Sequence, residues 1–266
     1  MTGKELDRLL LEEAERINTP SFIQDDPVQF PHRFDDLRDI EITAFLVAAI
    51  SWGKRTMILR DSERLLSIMD QQPYRYMMDE GYEDLDPCLN IHRTFFARDL
   101  QWYLRGLREI YKRSETLNDF AKSIRVGTSE APAWELASGM RGIIESVNEG
   151  KRCPQCLPTN LSTTALKRIN MALRWLVRND GKVDLGVWNC IKPEQLYIPL
   201  DVHVGNTARA LGVLDRKAND RRSCEILTGK AREINPSDPA LLDFALFGLG
   251  VTGAIDKKSP IILSDK

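Results

Sequence analysis

Residues 39–53 read DIEITAFLVAAISWG, and between Ile40 and Ile50 the run is apolar nearly all round a helix. A surface helix has one apolar stripe, so a helix with no polar face must be enclosed by the rest of the chain. The segment therefore predicts a central buried helix over 39–52, capped at its C-terminus by Gly53 and followed by Lys54 and Arg55. The same periodicity predicts helices at 4–18, 56–70, 94–113, 134–148, 164–178, 202–211, 220–233 and 238–249. Alternating β-branched runs occur only in fragments such as QLYIPL, residues 195–200, so the expected fold class is all-α. At 266 residues with 42% hydrophobic content, the chain suits one large or two small domains with a sizeable core.

No apolar run approaches the roughly 18 to 20 residues that span a bilayer, and the opening MTGKELDRLLLEEAERIN is acidic and amphipathic, unlike a secretory leader. A cytoplasmic location without membrane association is expected. Five scattered cysteines (Cys88, Cys153, Cys156, Cys190 and Cys224) suit free thiols in a reducing compartment. Cys153 and Cys156 form a CxxC, but no second Cys or His pair stands at zinc-finger spacing, so no metal is expected. The net charge of −2 hides a polarised chain: residues 1–41 hold eleven acids against five bases, whereas residues 151–182 hold seven bases against Asp180 alone.

That basic window contains TALKRINMALRWLVR, residues 164–178. Ile169, Ala172, Leu173 and Leu176 fall at helical spacing to face a core, while Lys167, Met171, Arg174 and Arg178 form the opposite stripe. The stripe reads either as a solvated helix face or as a surface for DNA phosphates. With Ser162, Thr163 or Thr164 as N-cap, Lys167 sits in the first turn, where the positive helix end and the neighbouring Arg168 and Arg174 disfavour an ammonium. An amine nucleophile needs such a lowered proton affinity.

In LYIPLDVHVGNTARALGVL, residues 196–214, an apolar lead-in is broken by Asp201. Asp is among the best N-caps, and a helix is expected from Val202, so a capping role explains it alone. A carboxylate held at a helix start on an apolar ledge is also preorganised to stabilise positive charge or move a proton. Both readings stand at this level.

Pro199, Asp201, His203, Val204, Arg209, Leu211 and Gly212 together resemble the Pro-x-Asp-x-His-Val motif and following helix of the helix-hairpin-helix DNA glycosylases, the HhH-GPD superfamily. In lysine-bearing members a Lys at the start of the post-hairpin helix attacks the sugar C1′ and the Asp assists. The matching position is Lys167, thirty-four residues before Asp201, a separation similar to the archaeal 8-oxoguanine glycosylase branch. The words DIEITAFLVAAISWGKR, IHRTF, LKRINMALRWLVR, IPLDVHV and DFALFGLGV, spread over residues 39–251, resemble more closely still an uncharacterised bacterial family related to those glycosylases. The chain departs from the superfamily in its hairpin, where TNLSTTALK replaces Gly-x-Gly, and in lacking an iron–sulfur loop after the Asp. Lys182, in NDGKVDLG, is a second candidate nucleophile, but its flanks contain Gly186 and Pro193 and read as irregular connection.

The resemblance implies a two-lobed HhH-GPD-like fold with an atypical hairpin: residues 39–199 as a helical barrel lobe, residues 1–38 and 200–266 as a terminal lobe, and a cleft between them. It implies a monomeric, nucleoid-associated repair enzyme acting on double-stranded DNA with a damaged base, 8-oxoguanine among the candidates. Lys167 and Asp201 would be catalytic, with associated β-lyase chemistry and no cofactor. Arg168, Arg174, Arg178, Lys54, Arg55, His203 and Arg209 are the candidate DNA contacts, and Trp52, Phe244 and Phe247 the candidate base-pocket walls. Within the IHRTF word, His92 and Arg93 suit a structural or a phosphate-contact role. The alternative is a non-catalytic DNA-binding protein using the same scaffold for lesion recognition.

Overall fold

A computed structural model of the chain describes residues 2–251, so positions 252–266 of the expected terminal lobe lie outside the described residues. The described residues form twelve α-helices and one short hairpin. The helices are α1 (Gly3–Ile17), α2 (Ser21–Gln24), α3 (Leu37–Ile50), α4 (Arg55–Ile68), α5 (Pro73–Met78), α6 (Ala97–Tyr111), α7 (Leu117–Ser123), α8 (Pro132–Val147), α9 (Lys167–Val177), α10 (Val202–Ala210), α11 (Arg221–Ile234) and α12 (Leu242–Val251). The hairpin pairs β1 (Asn90–His92) with β2 (Phe95–Phe96). The protein is thus predominantly helical, and no described helix is long and apolar enough to cross a membrane.

Helix α3 is the centre. Its N-terminus is capped by Asp36, and Ile40 through Ile50 are all buried, including Glu41. That carboxylate accepts hydrogen bonds from the Tyr111 hydroxyl (2.8 Å), the Leu117 and Asn118 amides (2.8 and 2.9 Å) and Trp188 Nε1 (2.7 Å). Burial still pushes its pKa above the usual carboxylate range. Around α3 pack α9 and α5, while α6 lies against α8, and α12 lies against both α1 and α10. Close approach of α1 to α12 depends on Gly248, where an added Cβ would stand 1.8 Å from Ile17 Cδ1. Helix α1 starts with a Thr2–Glu5 capping box and buries Leu6, Leu10 and Ala14 on one face.

Three features differ from the sequence reading. The helix expected from residue 94 starts at Ala97, because Phe95 and Phe96 are paired with β1; these strands of three and two residues are too short for alternation to register. Helices α5 and α7, of six and seven residues, complete fewer than two turns and leave no readable period. Helix α9 begins at Lys167 with Leu166, at φ 52°, as its N-cap, and receives no side-chain cap. The hydroxyl residues expected there belong to the preceding turn, in which Asn160 Oδ1 accepts from the Ser162 and Thr163 amides.

Candidate active site

The N-terminus of α9, the segment leading into α10, and helix α12 converge on a cavity of about 940 Å³. Phe22 of α2 and the residues just after it, the α3–α4 connection with the first turn of α4, the hairpin tip and the Pro154–Gln155 turn complete its walls. Lys167 is the first residue of α9 and half-buried in this wall, with Nζ 3.4 Å from Met171 Sδ. Burial lowers its pKa below the ordinary lysine range, against the opposing pull of Asp201, Asp243 and Asp26. The dominant cause is thus loss of water, with Arg168 a smaller contributor.

Asp201 is both a cap and a cavity residue. Its Oδ1 accepts the His203 amide at 2.8 Å and the Val204 amide at 2.9 Å, while Oδ2 takes no hydrogen bond from the described residues. One oxygen therefore starts α10 and the other is available to the cavity that the residue lines. Sequence reading missed two further carboxylates in the wall. Asp26 caps the turn Pro27–Gln29, and burial raises its pKa despite Arg174 nearby. Asp243, in the first turn of α12, is buried against Arg174, and burial pushes its carboxyl up to about 6.

The expected DNA-facing stripe on α9 is corrected by the structure. Arg174 and Arg178 are 4% and 1% exposed, so neither forms an outward DNA-facing surface, and only Arg174 borders the cavity. Arg174 pairs with Asp184 (3.3 Å) and Asp243; Arg178 pairs with Asp184, Asp180 (2.8 Å) and Asp238 (2.9 Å). Their compensating acids come mostly from outside the basic window, and the charge is consumed internally. Arg168 is half-buried: Nη1 donates to the Ala49 carbonyl at 2.8 Å, and the guanidinium lies 5.2 Å from the Trp52 ring centroid. Arg209 stands outside the cavity wall, donating to the Arg216 carbonyl, Asn219 and Asn206.

Lys54 and His203 are exposed, and half-buried Arg55 lies over Phe247 at 5.0 Å. Trp52 and Phe247 are half-buried wall residues, whereas Phe244 is fully buried under Arg174, with Phe22 edge-on at 5.2 Å. Its ring packs the wall and presents no free face for stacking. Lys182 is half-buried, bonded to Glu15, and absent from the cavity wall. Cys153 and Cys156 are buried with their sulfurs 2.9 Å apart, and no group of three potential metal ligands occurs among the described residues.

The family described as "Protein of unknown function (DUF2400)" matches residues 26–252, a span that holds the whole cavity wall except Phe22. No curated protein and no solved structure matches the chain.

Proposed function

We propose that this chain, which belongs to the DUF2400 family, is a DNA N-glycosylase with associated AP-lyase activity on a two-lobed HhH-GPD-like fold. The observation that supports it most is that Lys167 and Asp201, thirty-four residues apart, meet in one cavity where burial depresses the lysine. The volume falls within the range of about 300 to 1,000 Å³ expected of small-molecule pockets. Trp52, Phe22 and Phe247 supply flat apolar wall for an extruded base.

In this reading the N-glycosidic bond breaks to give a cationic sugar that Asp201 stabilises; the neutral Lys167 amine then adds to C1′, and the proton Nζ sheds on addition passes to the departed base. Opening of the sugar ring gives an iminium between Nζ and C1′; loss of a C2′ proton then expels the 3′ phosphate. Asp26 and Asp243 pull in the same direction on positive charge at Nζ, with Asp243 partly offset by its ion pair with Arg174. Around the cavity lie Lys54, Arg55 and Arg168, cations with no ion pair among the described residues, which would hold the flanking phosphates.

Borohydride trapping against duplexes bearing oxidised, alkylated, deaminated or abasic sites tests the proposal. A covalent adduct that forms with the parent protein and not with Lys167→Gln is the expected result. Duplex binding with no adduct on any substrate would overturn the enzymatic assignment and leave a lesion-binding scaffold.

A further inference from the structure

We infer that the β1–β2 hairpin is a DNA-contact element in which Arg93, at its tip, holds a backbone phosphate at the cavity rim. The inference rests on reading the cavity as a nucleotide pocket. A nucleotide extruded into it brings its two flanking phosphates to the rim, so a rim cation held in place before binding would be a phosphate ligand.

The hairpin is fastened to the cavity wall. His92 is fully buried, with Nδ1 2.7 Å from Asp61 Oδ2 and Nε2 2.9 Å from the Trp52 carbonyl, and its ring meets Trp52 edge to face. On the other side, Gln155 Nε2 donates to the Thr94 carbonyl at 3.2 Å. Trp52, Thr94 and Gln155 all line the cavity, so the tip is part of its mouth.

Arg93 is exposed and occupies the left-handed region at φ 52°, which is uncommon for a residue with a Cβ. Its side chain runs over Gly53: a Cβ built there would stand 2.5 Å from Arg93 Nη1, and Gly53 itself has φ 101°. A glycine at 53 thus serves the chain reversal and the passage of Arg93 together. Arg93 has no carboxylate within ion-pair distance among the described residues, and the same holds for its rim neighbours Lys54, Arg55 and Arg168. Most surface arginines of this chain are paired, for example Arg33 with Glu63 and Arg105 with Glu83. Four of the cations without an ion pair, Lys54, Arg55, Arg93 and Arg168, thus fall at or next to a cavity whose wall carries Asp26, Asp201 and Asp243. A planar guanidinium at this position, with its donors unengaged among the described residues, suits bidentate phosphate contact.

The test measures binding of a duplex carrying a tetrahydrofuran abasic analogue to the full chain across a salt series. Arg93→Ala should weaken binding about tenfold at low salt and reduce the slope of log K against log[salt] by about 0.9, the value of one lost phosphate contact. Arg93→Lys should keep most of the slope. Arg125→Ala is the matched control, because Arg125 is also exposed, at φ 59°, and lies away from the cavity wall. It should change neither quantity. Unaltered affinity and slope in Arg93→Ala, with a parent protein that binds, would overturn the hairpin assignment and leave the glycosylase reading intact. A parent protein that binds no duplex would remove the nucleotide-pocket reading and the hairpin assignment with it. Should Arg93→Ala lower the melting temperature appreciably, Arg93→Lys and Arg93→Gln compared with each other decide the matter, since both keep an unbranched stem with a polar end and only one keeps the charge.

Discussion

Replacing Asp201 by Asn separates the two roles that this side chain combines. Both capping bonds run to Oδ1, at 2.8 and 2.9 Å, and an amide oxygen can accept both. What the folded chain loses is a negative charge at a helix N-terminus, about 0.3 to 1 kcal/mol, so melting should fall by no more than about 4 °C. The reaction loses more. A unit charge about 4 Å from a developing cation, at an effective dielectric of about 20, contributes about 4 kcal/mol, or about a thousandfold in rate. Asp201 also helps hold the proton on Lys167, so its removal should move the acid limb of the rate profile to lower pH while the plateau falls. Single-turnover base release and borohydride trapping between about pH 5 and 9, with thermal unfolding beside them, measure all three effects. A stable Asp201→Asn protein with parental rates would make Asp201 a cap and nothing more.

Lys167→Gln should abolish trapping with little change in duplex affinity, whereas Lys182→Gln should trap normally; the reverse pattern would move the nucleophile to Lys182. Arg178→Met should destabilise the chain by about 3 to 5 kcal/mol and lower its melting temperature by about 10 °C, because Asp184 stays buried with half its compensation gone. Duplex affinity should not change in that variant, and a mild, DNA-specific defect would contradict the buried placement. Asp243, raised to about 6, binds its proton more tightly folded than unfolded, where it titrates near about 4. Its stabilising contribution is therefore fully present below the unfolded value and lost as pH rises through 6. Urea midpoints should fall less steeply with pH over this window in Asp243→Asn than in the parent, and parallel profiles would refute the shift.

The central helix was legible because Ile40–Ile50 leaves no polar face to expose, and longer helices such as α1, α4 and α11 announced themselves by period. The placement of Lys167 and Asp201 in one cavity followed from the glycosylase-like motif and was not readable from spacing. Arg174 and Arg178 were misread for a physical reason. A window from 151 to 182 contains one acid, whereas the carboxylates that neutralise the pair include Asp184, Asp238 and Asp243, brought in from later segments. Asp26 and Asp243 were missed for the same cause: over two hundred residues separate them, and only packing of the chain ends brings both to Lys167. Nothing local marked Leu166 as a cap, since a leucine with a left-handed backbone carries no cap signature.

A helix that is apolar on every side, as α3 is, has a difficulty of its own: rotated by a third of a turn about its axis it would still bury oil against oil, and burial alone barely distinguishes the phases. Glu41 removes that degeneracy. Its two oxygens are claimed by donors from the end of α6, the start of α7 and Trp188, and only one rotation of α3 satisfies all four. The rotation that seats Glu41 also sets the direction in which the chain leaves at Ser51, and hence where Trp52, Gly53 and Arg55 meet the cavity. A carboxylate remote from the chemistry thus acts, with Asp39 accepting the Tyr74 amide at 2.7 Å, as the angular key of the core, indexing the rim of the site to the opposite end of the helix.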